Sequence, residues 1–191
     1  MAFVNTLSGR GTPEPKEGLV SSAALIDWAR GASILSASAT ADLCHRAAAH
    51  PQEADRALAA ARDLRETLHQ LFSAIDMGKS PSEPVLATLA AYLGGGFKQA
   101  RLVFQEGMLQ WAPGVISGLD DVTREVARAA ARLVGSGHLA RVRACAAEDC
   151  RWWFVDDTKN RSRRWCDMKT CGNRAKLRRY RARRPEEKSE K

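Results

Sequence analysis

The chain has 191 residues, of which 45% are hydrophobic and 27% charged, with a formal net charge of +8. These are the proportions of an ordinary globular protein, and no apolar run approaches the roughly 20 residues of a membrane span, so no membrane partner is expected. The segment from Met1 to Thr6 lacks the basic-then-apolar pattern of a secretory signal, which makes the cytoplasm the expected location.

The elements read as follows in chain order. Residues 22–35 look helical, with Ser22 as a candidate cap, and a second short helix covers 40–49. Cys44 in that Ala-rich stretch reads as a buried small hydrophobe. Pro51 suits the first turn of a longer helix. In it Ala54, Leu58, Ala61, Leu64, Leu68, Leu71, Phe72 and Ile75 recur at steps of three and four, the mark of an amphipathic helix. Gly78 and the Pro81–Pro84 stretch end it. A helix over 83–93 is expected to stop at Gly94-Gly95-Gly96. No Gly-Lys-Ser/Thr follows those glycines, so they do not form a phosphate loop.

Residues 101–105 and 108–112 flank Glu106-Gly107 and predict a β-hairpin. Asp120 or Asp121 then opens a helix carrying Val122, Val126, Ala129, Ala130, Leu133 and Val134. Gly135-Ser136-Gly137 closes it and marks a boundary in charge. Residues 1–137 hold 13 basic and 14 acidic side chains, net −1, whereas residues 138–191 hold 17 and 8, net +9. A polyanion-binding module attached to a neutral domain has this signature.

Four cysteines follow as Cys145-x4-Cys150-x15-Cys166-x4-Cys171. Each close pair can grip a metal from a short turn, and two pairs complete a tetrahedral shell. Four thiolates leave no open position, so the site should be structural. Soft ligands in tetrahedral geometry favour zinc, with an iron–sulfur cluster as the rival. Arg143, Arg151, Lys169 and Arg174 stand close enough to offset thiolate charge. Arg151–Val155 and Arg163–Trp165 read as two strands, with Trp152, Trp153 and Trp165 supplying core to a small module rather than stacking on bases. Gly172 permits a tight turn, and Asn173 can cap a following helix.

That helix, 172–184, contains no acid. Leu177 and Tyr180 form a narrow seam that can dock it on the module, and the rest is cationic. Like charges at helical spacing repel, so a polyanion is the expected partner. The candidate nucleic-acid contacts are Arg174, Lys176, Arg178, Arg179, Arg181, Arg183 and Arg184, with Lys159, Arg161, Arg163 and Arg164 as a second cluster. DNA is favoured. RNA or the ribosome is the second reading, and a zinc adaptor for a protein partner the third. His45, His50, His69 and His138 are scattered without metal or catalytic spacing, so an enzyme is not expected.

The stretch Cys145…Cys150-Arg-Trp…Phe154…Asp157-Thr-Lys-Asn…Ser162-Arg-Arg-Trp-Cys166…Cys171-Gly-Asn-Arg174 resembles the CGNR zinc-finger family, named for the tetrapeptide found here at 171–174. Phe3-Val4-Asn5-Thr6 and Leu64-Arg65-Glu66-Thr67-Leu68 resemble the ABATE domain, which commonly precedes that finger in bacterial proteins described as stress-induced transcription regulators. The resemblance implies DNA binding by the finger. It also implies a ligand pocket in the first domain, for which Asn5 is the candidate, and with it a small-molecule effector. A homodimer is expected from the habit of DNA-binding proteins to read paired half-sites. The fold class that results is mainly α (α+β). A helical sensing or dimerisation domain with a β-hairpin spans 1–136. A zinc-bound module of two short strands and a C-terminal basic helix spans 138–184, and a frayed polar tail 185–191.

Overall fold

A computed structural model describes residues 1–98, 100–112 and 114–182. Arg183, Arg184 and the tail 185–191 lie outside the described residues. The fold is mainly α, with three antiparallel strand pairs and a cysteine cluster near the C-terminal end.

The long helix α3 (Pro51–Asp76) is the central element, and Pro51 opens it. Its apolar stripe is buried at Ala54, Ala57, Leu58, Ala61, Leu64, Leu68, Leu71 and Phe72. Truncating one of the larger of these would cost about 2–5 kcal/mol. Helices α1 (Ser22–Gly31) and α2 (Ala37–Ala49) pack against it. Both begin at a serine cap, Ser21 accepting from the Ala24 N–H and Ser36 from the Ala39 N–H, each at 3.2 Å. The first cap is thus one residue earlier than the sequence suggests. In α2 the buried residue is Leu43, and Cys44 is exposed, contrary to its reading as core.

Helix α4 (Glu83–Gly96) runs through all three glycines instead of stopping before them. The reason is packing. A Cβ on Gly96 would sit 3.1 Å from the Arg124 carbonyl oxygen and 3.2 Å from Ala127 Cβ, both on α5 (Leu119–Gly135). Helix α5 starts as its acids imply. The Asp121 carboxylate accepts from the Ser117 and Gly118 N–H groups at 2.8 and 2.9 Å. Between α4 and α5 the expected hairpin forms, as strands β3 (Arg101–Gln105) and β4 (Met108–Ala112). Ahead of α1, β1 (Leu7–Ser8) and β2 (Lys16–Glu17) form a small antiparallel pair.

That first pair is held on α3 by ions. Arg65, buried, donates to both carboxylate oxygens of Glu17 at 2.6 Å, to Glu66 at 3.0 Å and to the Thr6 hydroxyl at 3.2 Å. Arg10 closes the network with two 2.8 Å bonds to Glu66. Hydrogen bonding from Arg65 holds the Glu17 carboxyl below its usual range. Burial alone would raise Glu66, but Arg10 and Arg65 outweigh it and the net direction is down.

In the C-terminal module, β5 (Val142–Ala144) pairs with β6 (Trp153–Val155). The second strand expected at Arg163–Trp165 does not form. The hairpin instead uses the residues flanking the first cysteine pair, which brings Cys145 and Cys150 to one end of it. Side chains of β6 alternate between two cores. Trp153 and Val155 join the large helical core together with Val142, whereas Phe154 packs with Cys145, Ala147 and Cys171. Period-two alternation makes this one strand the wall shared by both units.

Candidate metal centre and nucleic-acid interface

The first grip is a turn from Cys145 to Arg151. The Cys145 N–H donates to the Trp152 carbonyl at 2.8 Å, and the N–H groups of Cys150 and Arg151 both donate to the Ala147 carbonyl. Arg151 closes the turn in the left-handed region, φ +56°. The second grip starts at Asp167, whose carboxylate accepts from the Thr170 N–H at 2.7 Å and the Thr170 hydroxyl at 2.9 Å. A wide helical turn (Met168–Gly172) follows and runs straight into α6 (Asn173–Ala182). The cap is therefore Asp167 rather than Asn173, and Cys171 sits inside the helical segment instead of before it.

Each residue of the 171–174 tetrapeptide has local work. Cys171 turns its buried sulfur to the cluster. Gly172 sits in a crowded place, where a Cβ would lie 2.9 Å from Met168 Sδ, the movable end of that side chain, and 3.3 Å from Trp165 Cδ1. Asn173 donates to the Lys169 carbonyl at 3.0 Å. Arg174 donates to Cys171 Sγ at 3.3 Å and pairs with Asp149 at 2.9 Å. Of the four cations expected to offset thiolate charge, Arg174 is the one seen on a sulfur. Arg143 instead donates to the carbonyls of Ala140 and Val142.

The sulfur atoms of Cys145, Cys150, Cys166 and Cys171 all lie within 4.8 Å of one another. Cys150 and Cys166 are 3.6 Å apart, and Cys166 and Cys171 3.7 Å. A tetrahedron with metal–sulfur arms of about 2.3 Å has edges of about 3.8 Å, so the four positions fit one such ion. Protonation agrees. Burial pushes the Cys150 thiol up to about 11 and raises Cys166 as well. Burial also acts to raise Cys171, but hydrogen bonds from Arg174 and the neighbouring thiols bring it below its ordinary value. Crowded, partly buried thiols of this kind ionise when a cation supplies the compensating charge.

The loop between the grips is organised by Asp156, a buried acid that sequence reasoning passed over. One carboxylate oxygen accepts from the Thr158 N–H at 3.0 Å and its hydroxyl at 2.5 Å, and the other from the Arg163 N–H at 3.0 Å. These bonds, the Thr158 hydroxyl foremost, hold the Asp156 carboxyl below its usual range. The Asp-x-Thr spacing was the available signal, because Asp commonly bonds backbone two residues on.

The candidate cations divide by what they touch. Arg163 belongs to the scaffold. Its guanidinium donates to the carbonyls of Trp165 and Cys166 and lies 4.8 Å from the Phe154 ring centre. Arg174 is engaged as above. Lys159, Arg161, Lys176, Arg178, Arg179 and Arg181 are exposed. Arg164, Arg178 and Arg179 line one shallow cleft of about 300 Å³ together with Trp165, Ala175 and Glu148. The structure therefore joins part of the loop cluster to the helix, and the one acid paired to α6 among the described residues, Asp149, comes from the first grip. Helix α6 docks through buried Ala175, while Leu177 and Tyr180 are more than half exposed, so the expected docking seam is not the buried face. Of the tryptophans only Trp153 is buried; Trp165 is half-buried and Trp152 exposed.

Asn5 serves the joint between the two units. Its side-chain amide donates to the Trp153 carbonyl at 2.9 Å and accepts from the Trp153 N–H at 2.8 Å. An apolar cavity of about 450 Å³ lies alongside, lined by Phe3, Val4, Trp28, Phe72, Leu133 and Val155 among others, and Asn5 is not in its lining.

Among families, the CGNR zinc finger matches residues 141–184, and ABATE, described as a putative stress-induced transcription regulator, matches residues 1–137. No curated protein gives a significant match. No described helix is long and apolar enough to cross a membrane. With the ABATE match over most of its length and a four-cysteine cluster within the other, the chain belongs to the ABATE family and carries a CGNR zinc finger after that domain.

Proposed function

We propose that the protein is a non-catalytic, cytoplasmic transcription regulator whose zinc-loaded finger binds DNA. The observation that carries this reading is the cleft lined by Arg164, Arg178 and Arg179 together with Trp165 and a single acid, Glu148. Three arginines against one acid leave this depression cationic, and guanidiniums bind phosphate oxygens bidentately. Zinc acts only as scaffold. With all four thiolates on the ion, it fixes the angle at which α6 leaves the module. Lys176 and Arg181 extend the cationic surface along the helix, and Lys159 and Arg161 flank it.

The salt dependence of duplex DNA binding tests the reading. Each phosphate contact contributes about −0.9 to the slope of log K against log salt. Arg178→Ala with Arg179→Ala should therefore flatten the slope by about 2 and weaken binding on every duplex alike. An unchanged slope removes α6 from the interface, and tighter binding to folded RNA at matched salt assigns the finger to RNA instead. Metal analysis should return one zinc per chain; iron would change the ion but not the scaffold.

The apolar cavity is the place we assign to an effector. Its lining includes Phe72 of α3 and Val155 of β6, so a small apolar molecule there would touch both units. Titration calorimetry with the N-terminal domain mutated at Phe72 would separate binding in this cavity from binding elsewhere.

A further inference from the structure

The β3–β4 ribbon carries an apolar face that the other described residues leave open. The register pairs Leu102 with Trp111 and Phe104 with Leu109. Side chains alternate along a strand, so these four share one face. They are 54%, 51%, 73% and 66% exposed, respectively. The opposite face mixes Arg101, Gln105 and Gln110 with Val103, Met108 and Ala112. The ribbon packs chiefly on itself; at its base Phe97 meets the Trp111 ring edge-on, 5.2 Å between centres. An isolated two-stranded hairpin is marginal in water, yet this one presents two aromatic and two leucine side chains to solvent on one face, with no polar side chain among them.

We propose that this face is the dimer interface of the protein, covered by the same face of a second copy related by a twofold axis, with the two ribbons running antiparallel. Two observations select a second copy. The first is area. Two aromatic and two leucine side chains exposed to this degree offer on the order of 400 Å² of apolar surface per copy. That reaches the size at which an exposed patch marks an interaction site. It supplies about half of the roughly 800 Å² per partner of a standard interface, in the apolar centre where the energy concentrates. The second is charge. The ribbon is acidic at its tip, Glu106, and basic at its base, Lys98, and neither forms an ion pair with the described residues. Five residue pairs span roughly 17 Å. Antiparallel placement sets each tip over the other base, acid on base, at both ends. Parallel placement would oppose like charges. The near-neutral first domain carries no net repulsion against its own copy, whereas the finger, with most of the positive charge, lies elsewhere in the chain.

The inference goes beyond the DNA-binding reading and is tested without nucleic acid. Light scattering and sedimentation of the full chain with zinc, over the micromolar range, should give about twice the 20.9 kDa chain mass. Phe104→Asp and Leu109→Asp should each raise the dimer dissociation constant by about 100-fold or more, with helical circular dichroism unchanged because both sites are exposed. Gln110→Asp, on the other face, should leave it within about threefold. Glu106→Lys and Lys98→Glu should each weaken association, and the pair together should recover it. A wild-type monomer throughout, a dimer indifferent to Phe104→Asp and Leu109→Asp, or open-ended association in place of a defined dimer overturns the proposal. Failure of the charge pair to recover overturns the antiparallel placement.

Discussion

Asn5→Ala isolates the contact that joins the finger to the helical domain. The wild-type amide closes both backbone groups of Trp153, the N–H at 2.8 Å and the carbonyl at 2.9 Å. Trp153 is buried, so neither group gains water when the amide is removed. Leaving one buried donor or acceptor unpaired costs about 1–3 kcal/mol. Two neighbouring groups, partly relaxed, should cost about 2–4 kcal/mol. In a protein of this length each kcal/mol lowers the midpoint by about 2–4 °C, so a fall of roughly 5–15 °C is expected. Urea denaturation followed by circular dichroism measures the free energy directly. Asn5→Asp should fall as far or further, because its carboxylate can accept from the N–H but faces the Trp153 carbonyl with no proton to give. A midpoint within about 0.5 kcal/mol of wild type for Asn5→Ala would refute the joint, since surface changes stay inside that range.

Three further outcomes are expected. Gly11 lies against the first metal grip, where a Cβ would come 2.4 Å from the Glu148 carbonyl oxygen and 3.0 Å from Arg151 Cγ; Gly11→Ala should destabilise by about 1–3 kcal/mol, and a neutral result by thermal melting would show that the finger does not sit there. Cys166→Ser should lose the metal and the fold of the module, checked by metal analysis and near-ultraviolet tryptophan signals; retention of one ion per chain would remove Cys166 from the ligands. His69 accepts at Nδ1 from the Trp153 indole N–H at 2.9 Å and is held below its ordinary 6.5 by burial, with Arg10 adding to the effect. The unfolded chain therefore takes the proton first, so His69 contributes stability that is full above pH 6.5 and is lost as the pH falls through the folded-state value. The urea midpoint of wild type minus that of His69→Gln should shrink over that window, and a flat difference would show that the imidazole does not titrate against the fold.

Local rules recovered what local rules determine. The stripe on α3, the Glu106-Gly107 turn and the clustering of the four cysteines are legible because each rests on spacing along the chain. The hairpin turn needs positive φ at both central residues, and Glu106 and Gly107 have it, +52° and +78°. Errors came where a distant contact decides. Gly94 to Gly96 look like a helix stop until α5 arrives close enough to require Gly96. Arg163–Trp165 carries strand-forming bulk, but Asp156 fixes Arg163 through its N–H and the chain turns there instead of pairing. Leu177 and Tyr180 share a seam by periodicity, yet the smaller Ala175 lets α6 approach the sulfur cluster. The same limit hid Asn5. The family resemblance makes it a candidate for a ligand pocket, and only a partner 148 positions away reveals that it binds backbone.

The joint also bears on how a signal could travel. Coupling between sites requires an element whose arrangement both sites bias. Strand β6 meets the structural part of that requirement, because Trp153 and Val155 face the helical core and the apolar cavity while Phe154 packs on the sulfur cluster. Asp156, next in the chain, fixes Arg163, which in turn holds the Cys166 carbonyl. A displacement of Phe72 or Val155 thus has a short covalent and hydrogen-bonded route to the second grip and to α6, without passing through a flexible linker. A rigid route has a consequence for recognition. If two copies meet through their ribbons, the spacing between their basic helices is set by the fold rather than by a tether, and DNA half-sites should be read at one separation. Inserting base pairs between half-sites should then abolish paired binding in steps, with partial recovery after a full helical turn of about 10 pairs; a smooth decline with spacing would show that the finger swings free of the helical domain.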